Sequence, residues 1–285
     1  MKAEVVFLPS IATDLSLKLC IVVDVLRATS TLVSMFEAGA RKVVLAGSIP
    51  AALEYAASRA ERPAVCGESG GLRPDGFDHG NSPREFPPGS LEGKEVAFCT
   101  SNGTRAMARV AEAPVVLAGS LLNGSAVARA AVREARERRL NLAVICSGDS
   151  LGSKFAIDDA FCAAHLLTLI HREAARTEDA VQMAAETEKL AEPGMDPGWD
   201  HLEMEEAAVA ALRLYGSYLG GQGTVASGGR PPRDAILTAF WEARNARSLR
   251  RVGLAEDVEY CAQLDISNCV PRLRREEERL VLYPC

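Results

Sequence analysis

Three short stretches place polar side chains where apolar runs end: "VVDVLRATST" at 22–31, "CTSNGTR" at 99–105 and "CSGDSLGS" at 146–153. In the first, Asp24 and Arg27 follow the run "LCIVV". The second offers hydroxyls, an amide, Gly103 and Arg105. Where a buried strand gives way to a helix, backbone N–H groups and Ser or Thr hydroxyls can cradle a phosphate, and an arginine can bind it through two parallel hydrogen bonds. Capping alone accounts for any one stretch, because Ser, Thr, Asn and Asp are the preferred helix caps. Three stretches with two arginines point instead to an anion site. Acids are the second ingredient: Asp24, Glu68, and the pair Asp158–Asp159 ahead of an apolar helix. Adjacent acids in a first helical turn are ordinarily surface residues favoured by the helix dipole. Converging on a phosphate, they would hold Mg²⁺, which takes one or two carboxylates with water and phosphate oxygens.

Other chemistries can be weighed on the same residues. Cys99 and Arg105 have the C-x5-R spacing of cysteine-dependent phosphatases, but Ala106 stands where those enzymes usually carry a hydroxyl. An aspartyl-phosphate nucleophile at Asp24 would call for a second acid two residues on, and Leu26 occupies that place. Walker-type and G-x-G-x-x-G loops are absent. The four histidines, 79, 165, 171 and 201, show no metal spacing; His165 and His171 are expected on helix surfaces and His79 in a loop.

The elements that must position these groups follow from the hydrophobic pattern. Apolar strands without alternation, interleaved with amphipathic helices, predict an α/β fold: repeated βαβα units with helices on both faces of a mostly parallel or mixed sheet. The hexapeptide "VVLAGS" at 43–48 and 115–120 sits in matching strand–loop–helix contexts, which raises an old duplication and two similar lobes as an alternative to one catalytic unit. Gly39 stands where a helix C-terminal cap belongs. Residues 158–175, 178–191, 204–219 and 232–253 read as helices, "EYCAQLD" and "RLVLYP" as late strands or edge segments, and "RLRREEER" at 272–279 as a solvated helix turn or linker. Residues 67–94 are rich in glycine and proline and lack periodicity. A loop of that length inside a compact domain is usually a lid or binding loop, here an active-site loop.

The 285 residues, 48% of them hydrophobic, suffice for a well-buried core. A net charge of −6 and few aromatics argue against a nucleic-acid partner. No apolar stretch reaches the length of a membrane span, and the N-terminus makes a poor signal peptide. Eight cysteines without C-x-x-C spacing suit a reducing, cytoplasmic setting.

Taken in order, "VVDVLRATST…EAGA", "CGESGG…GFDHGNSP", "TSNGTRA", "AGSLLNGSAVA", "CSG" and "DDAFCAA" resemble the 2-phosphosulfolactate phosphatase family. The resemblance is strong over residues 5–165 and looser through 251–271. It implies Mg²⁺-dependent hydrolysis of 2-phosphosulfolactate to sulfolactate and phosphate, a step of coenzyme M biosynthesis. It further implies catalytic roles for Asp24, Arg27, Asp159 and Arg105, and substrate contacts from Thr29, Asn81, Ser82, Asn102, Gly103 and Thr104. The metal would be held by Asp24, Glu68, Asp158 and Asp159. Arg73 and Arg84 join Asn81 as candidates for the substrate's other anionic groups. The sequence departs from the family at Asp158, usually Glu, at "CAA", usually "CAG", and at Cys99, more often a hydroxyl residue. The expected partner is a small phosphorylated organic acid, with no nucleic acid and no membrane; a homodimer is allowed. Two alternatives stay open: a cysteine-dependent phosphatase using Cys99, and a non-catalytic binding protein for a small phosphorylated acid.

Overall fold

The computed structural model describes residues 1–187, 202–220 and 230–285. Its elements run β1 (Lys2–Val6), β2 (Lys18–Val23), α1 (Ala28–Glu37), β3 (Lys42–Leu45), α2 (Ile49–Ala57), β4 (Ala64–Gly67), β5 (Glu95–Cys99), α3 (Gly103–Arg109), β6 (Val115–Gly119), α4 (Gly124–Arg138) and β7 (Asn141–Cys146). There follow α5 (Ile157–Thr187), β8 (Glu203–Met204), α6 (Glu206–Tyr218), α7 (Arg233–Glu242), α8 (Arg244–Arg251), α9 (Ala255–Cys261), β9 (Arg272–Glu276) and β10 (Arg279–Tyr283).

All strands belong to one sheet, in the order β4-β5-β3-β10-β9-β6-β2-β7-β1-β8. The sheet has two parallel triplets, β4-β5-β3 and β6-β2-β7. The antiparallel hairpin β9–β10 joins them, pairing with β6 on one side and β3 on the other. Two βαβαβ repeats, β2 to β4 and β5 to β7, are interleaved in this order. The first strand of each repeat lies between the second and third strands of the other. Both repeats thus share one continuous sheet.

Helices cover both faces because the strands bury both sides. Cys20, Val22, Val43, Val96, Phe98, Val116 and Leu273 pack under α1 and α3. Leu19, Ile21 and Val144 pack on the opposite face under α4 and α5. Val44, Val65 and Ala97 meet α2 on that second face too. The "VVLAGS" copies lie in β3 and β6 but one residue out of register: Val43 packs on the α1 side and Val115 on the α4 side. A one-residue slip turns every side chain to the other face, so the repeated unit is the βαβ arrangement rather than that string.

Four expectations change. "RLRREEER" is not a solvated helix turn or linker, since Arg272–Glu276 is β9; "RLVLYP" is a late strand as expected, β10, and it runs through the middle of the sheet. "EYCAQLD" contributes the end of helix α9, whose Asp257, Val258 and Cys261 are buried. His165 is a core residue, its Nδ1 3.0 Å from the Tyr215 hydroxyl, and burial lowers its pKa to about 4. The helical pattern at 232–253 breaks at Ala243 into α7 and α8. The predicted cap holds: Gly39 follows α1 with φ of 95°. His201 and residues 188–191 of the second helical stretch lie outside the described residues.

Candidate active site

Asp24 is the first residue after β2, and the chain folds back on it to start α1. The Ala28 amide donates to Asp24 Oδ1 at 3.2 Å, while the Thr29 amide and hydroxyl both donate to the Asp24 carbonyl at 2.9 Å. The carboxylate thereby holds the helix entry in a turn that no ordinary cap residue closes. From the other repeat, α3 begins against the same spot. A methyl at Gly103 would sit 2.6 Å from Ala28 Cβ and 2.9 Å from Asp24 Oδ2, so the two helix starts can meet only because residue 103 has no side chain. Thr104 repeats the Thr29 device, its hydroxyl donating to the Thr100 carbonyl at 2.8 Å.

A cavity of about 330 Å³ opens where these turns meet the 67–94 loop, the loop after β7 and α8. Asp24, Arg27, Glu68, Asn81, Ser101, Asn102, Asp149, Asn245 and Ser248 line it. Glu68 binds the walls together: Oε1 accepts the Ser101 amide at 2.7 Å and Oε2 the Gly71 amide at 2.9 Å. Asn102 Oδ1 accepts the Leu151 amide at 2.9 Å. Asn81 is buried, and its Oδ1 has no hydrogen-bond partner among the described residues.

Arg27 is committed on two sides. One terminal nitrogen donates to Asp257 Oδ2 at 2.6 Å and the other to the Gly71 carbonyl at 2.7 Å. Asp257 is wholly buried and also accepts the Ser82 hydroxyl at 2.6 Å. A buried carboxylate of this kind persists only when paired and hydrogen-bonded. One acid from α9 thus fixes the motif arginine and the far end of the long loop together.

The remaining acids lie behind the cavity. Asp159 Oδ1 accepts the Val25 amide at 3.0 Å, and its Oδ2 accepts the Ser147 hydroxyl at 2.9 Å and the Gly148 amide at 3.0 Å. It braces the turns after β2 and β7 against each other. Asp158 accepts the Asn245 amide group at 3.2 Å, and its other oxygen is buried without a hydrogen-bond partner among the described residues. Burial pushes the Asp24 carboxyl up to about 6, with the Glu68 charge adding to the rise. Burial likewise raises Asp158 to about 7, opposed by the Asn245 hydrogen bond and reinforced by Asp24. Asp159 lies well above the usual carboxylate range through burial and the charges of Asp158 and Asp24. Three buried acids thus compete for charge in one region.

The expected site residues therefore separate. Asp24, Arg27, Glu68, Asn81 and Asn102 share the cavity, with Gly103 in contact with Asp24. Thr29 and Thr104 turn their hydroxyls to strand-end carbonyls, and Ser82 turns to Asp257. Arg105 lies on the other side of α3, exposed in a different cavity. The four acids do not form one cage: among the described residues no three His, Cys, Asp or Glu side chains come together as a ligating group. Arg73 donates to the Asp78 carbonyl and Arg84 pairs with Glu256. Cys99 is buried, and burial together with Glu68 raises its thiol pKa, the opposite of what a thiolate nucleophile needs.

Sequence reasoning passed over Asp257, Asn245 and Asp149. Asp257 shares a buried helix face with Val258 and Cys261, and an acid on an apolar face is a signal that a buried cation waits elsewhere in the fold.

A family model for 2-phosphosulpholactate phosphatase matches residues 9–276. The chain belongs to that family. Membership puts it among the phosphoric monoester hydrolases. Relatives include proteins of Carboxydothermus hydrogenoformans, 29% identical with 99% of this chain and 97% of the relative covered, and of Deinococcus radiodurans, 33% identical with 89% and 86% covered. A third, from Thermosynechococcus vestitus, is 30% identical with 88% and 87% covered. Each bears the name "Probable 2-phosphosulfolactate phosphatase". No helix among the described residues is long and apolar enough to cross a membrane.

Proposed function

We propose that this family member hydrolyses 2-phosphosulfolactate to sulfolactate and phosphate in the Asp24 cavity, with Mg²⁺ as cofactor and within coenzyme M biosynthesis. The observation that carries the cofactor is the cavity's charge. Asp24 and Glu68 face it without an ion pair among the described residues, Asp149 at its rim is paired with Arg244, and Arg27, the cation among its lining residues, is already matched by Asp257. A phosphate dianion entering there meets net negative charge, so a cation has to accompany it. Asp24 and Glu68 with the unpartnered Asn81 Oδ1 are hard oxygen donors, two of them carboxylates, and suit an ion that completes its shell with water and phosphate. Bound there, Mg²⁺ would neutralise phosphoryl oxygens and make a coordinated water more acidic.

The protein's own groups supply position and proton handling. Asp24, ionised above about pH 6, can accept a proton from the attacking water. The Asn102 amide group and the remaining Arg27 N–H groups can hold phosphoryl oxygens as charge builds. Asp158 and Asp159 act from behind, disfavouring a further negative charge at Asp24 until a cation is present. Eight free cysteines accord with a reducing cytoplasm.

Phosphate release from 2-phosphosulfolactate by the full chain is the direct test. Release with Mg²⁺, loss in EDTA and return on adding excess Mg²⁺ are expected. Undiminished turnover in EDTA would remove the metal, and release from other phosphorylated 2-hydroxy acids alone would remove the substrate.

A further inference from the structure

The interleaved repeats create two corresponding crevices, and the chain fills one of them. In the β6 half, β6 pairs with β9 at Leu117 opposite Arg272, and the Ala118 amide donates to the Pro271 carbonyl. In the β3 half, Val44 lies opposite Val281 and Leu45 opposite Leu280. Pro271 and Leu280 therefore occupy corresponding places, as do the residues before them, Val270 and Arg279. Thr29 and Thr104 correspond through their shared bond to a strand-end carbonyl, so the next residues, Ser30 and Arg105, correspond too.

In the β6 half the crevice is plugged by residues 264–270. The Asp265 amide donates to the Leu121 carbonyl at 3.0 Å, the Ser267 amide to Leu122 at 2.9 Å, and Asn123 Nδ2 to the Cys269 carbonyl at 2.9 Å. The plug carries an acid into the start of α4: Asp265 Oδ1 accepts the Ser125 amide at 2.7 Å and Oδ2 the Ser125 hydroxyl at 2.9 Å. In the β3 half no described segment enters. What remains is a cavity of about 300 Å³ between the end of β3, the first turn of α2, and α3. Its walls are largely apolar, with Ala46, Gly47 and Tyr55 among them. Two cations stand over it where the plugged half has Ser30 and Val270. Arg279 stacks on the Tyr55 ring, 4.4 Å from its centroid. Neither Arg105 nor Arg279 forms an ion pair with a described residue, and the one acid of the lining, Glu278, is exposed.

We propose that this open crevice binds a small organic anion, an acidic head group on an apolar body, with the head between Arg105 and Arg279. The ligand would occupy from solution the crevice that residues 264–270 fill within the chain in the other half. The site shares no lining residue with the Asp24 cavity, although α3 and the turn before it form the wall between them: Ser101 and Asn102 face one, Thr104 and Arg105 the other. The inference does not depend on the reaction catalysed next door.

The probe is 8-anilinonaphthalene-1-sulfonate, a sulfonate on an aromatic body with no phosphoester to hydrolyse, titrated into the full chain and followed by its fluorescence. One saturable site is expected. Arg105→Met and Arg279→Met should each weaken it about tenfold or more, the loss of a hydrogen bond to a charged group, with unchanged circular dichroism. Glu68→Gln, in the other cavity, should bind as the parent does. Equal binding by both arginine variants, loss in Glu68→Gln instead, or no saturable binding would overturn the proposal.

Discussion

The turns after β2 and β5 are counterparts: each opens a helix on the same face of the sheet, and each ties a threonine hydroxyl back to the strand it leaves. The first spends its strand-end position on a buried acid and backs it with Asp159, Ser147 and the Arg27–Asp257 pair. The second offers hydroxyls, an amide and a glycine, and its arginine faces away. The two repeats supply similar turns, and the buried acids Asp24, Asp159 and Asp257 gather at one. The other became the surface against which it is assembled, with Gly103 giving the room and Ser101 the amide that holds Glu68.

That asymmetry can be broken from its strongest side. Asp24→Asn should cut phosphate release about 10³-fold, within the range of general acid–base contributions, while the amide oxygen still accepts from Ala28. A loss below tenfold would move the chemistry off the β2 turn. Asp257→Ala should lower the unfolding free energy by about 3–5 kcal/mol in urea titration, because Arg27 is left as a buried uncompensated charge. Asp257→Asn should recover part of it by keeping the Ser82 hydrogen bond, and an unaffected alanine variant would show that Arg27 is held otherwise.

Asp158→Asn tests the acid store behind the cavity. A carboxyl whose pKa is raised on folding, here from 3.8 to about 7, favours the folded state below its unfolded pKa, and that contribution is lost as pH rises through the folded value. The metal-free variant should therefore gain stability relative to the parent between pH 5 and 8, by about 2–4 kcal/mol. Parallel stability curves would count against the buried charge. Gly103→Ala should cost about 1–3 kcal/mol by overpacking, and Ala28→Gly in the same chain should return part of the loss if the helix starts truly abut. The smallest effect is expected from Cys99→Ala: phosphate release within about twofold of the parent, as befits a buried thiol far from ionisation. A large fall there would return the active chemistry to the β5 turn.

Much of the frame was legible because strands buried on both faces and amphipathic helices leave strong periodic signals. The strand ends at Asp24, Glu68 and Asn102 were legible as well, since polar residues closing apolar runs stand out locally. Asp257 was not. It meets Arg27 across 230 positions of sequence, and no local pattern encodes which buried cation an acid will find. Arg105 failed in the opposite sense. Its spacing from the strand is right for a phosphate clamp, but a helix sends successive residues to different sides, so Thr104 and Arg105 face a different cavity from Ser101 and Asn102. The hairpin was misread because arginines and glutamates dominate β9 and hide a strand whose apolar contribution is essentially Leu273.

The placement of that hairpin governs how the molecule can be assembled. Residues 272–283 are the zip between the two triplets, and each triplet itself needs a strand from the other repeat. As the chain leaves the ribosome, β2 must wait for β6 and β7, some hundred residues later, and the halves must then wait for β9 and β10. Local helices can form at once, but the sheet closes only when most of the chain is present, which makes folding slow and leaves strand edges uncovered meanwhile. A chain stopped short of β9 would retain both triplets and lose the strands that, among the described residues, hydrogen-bond one to the other.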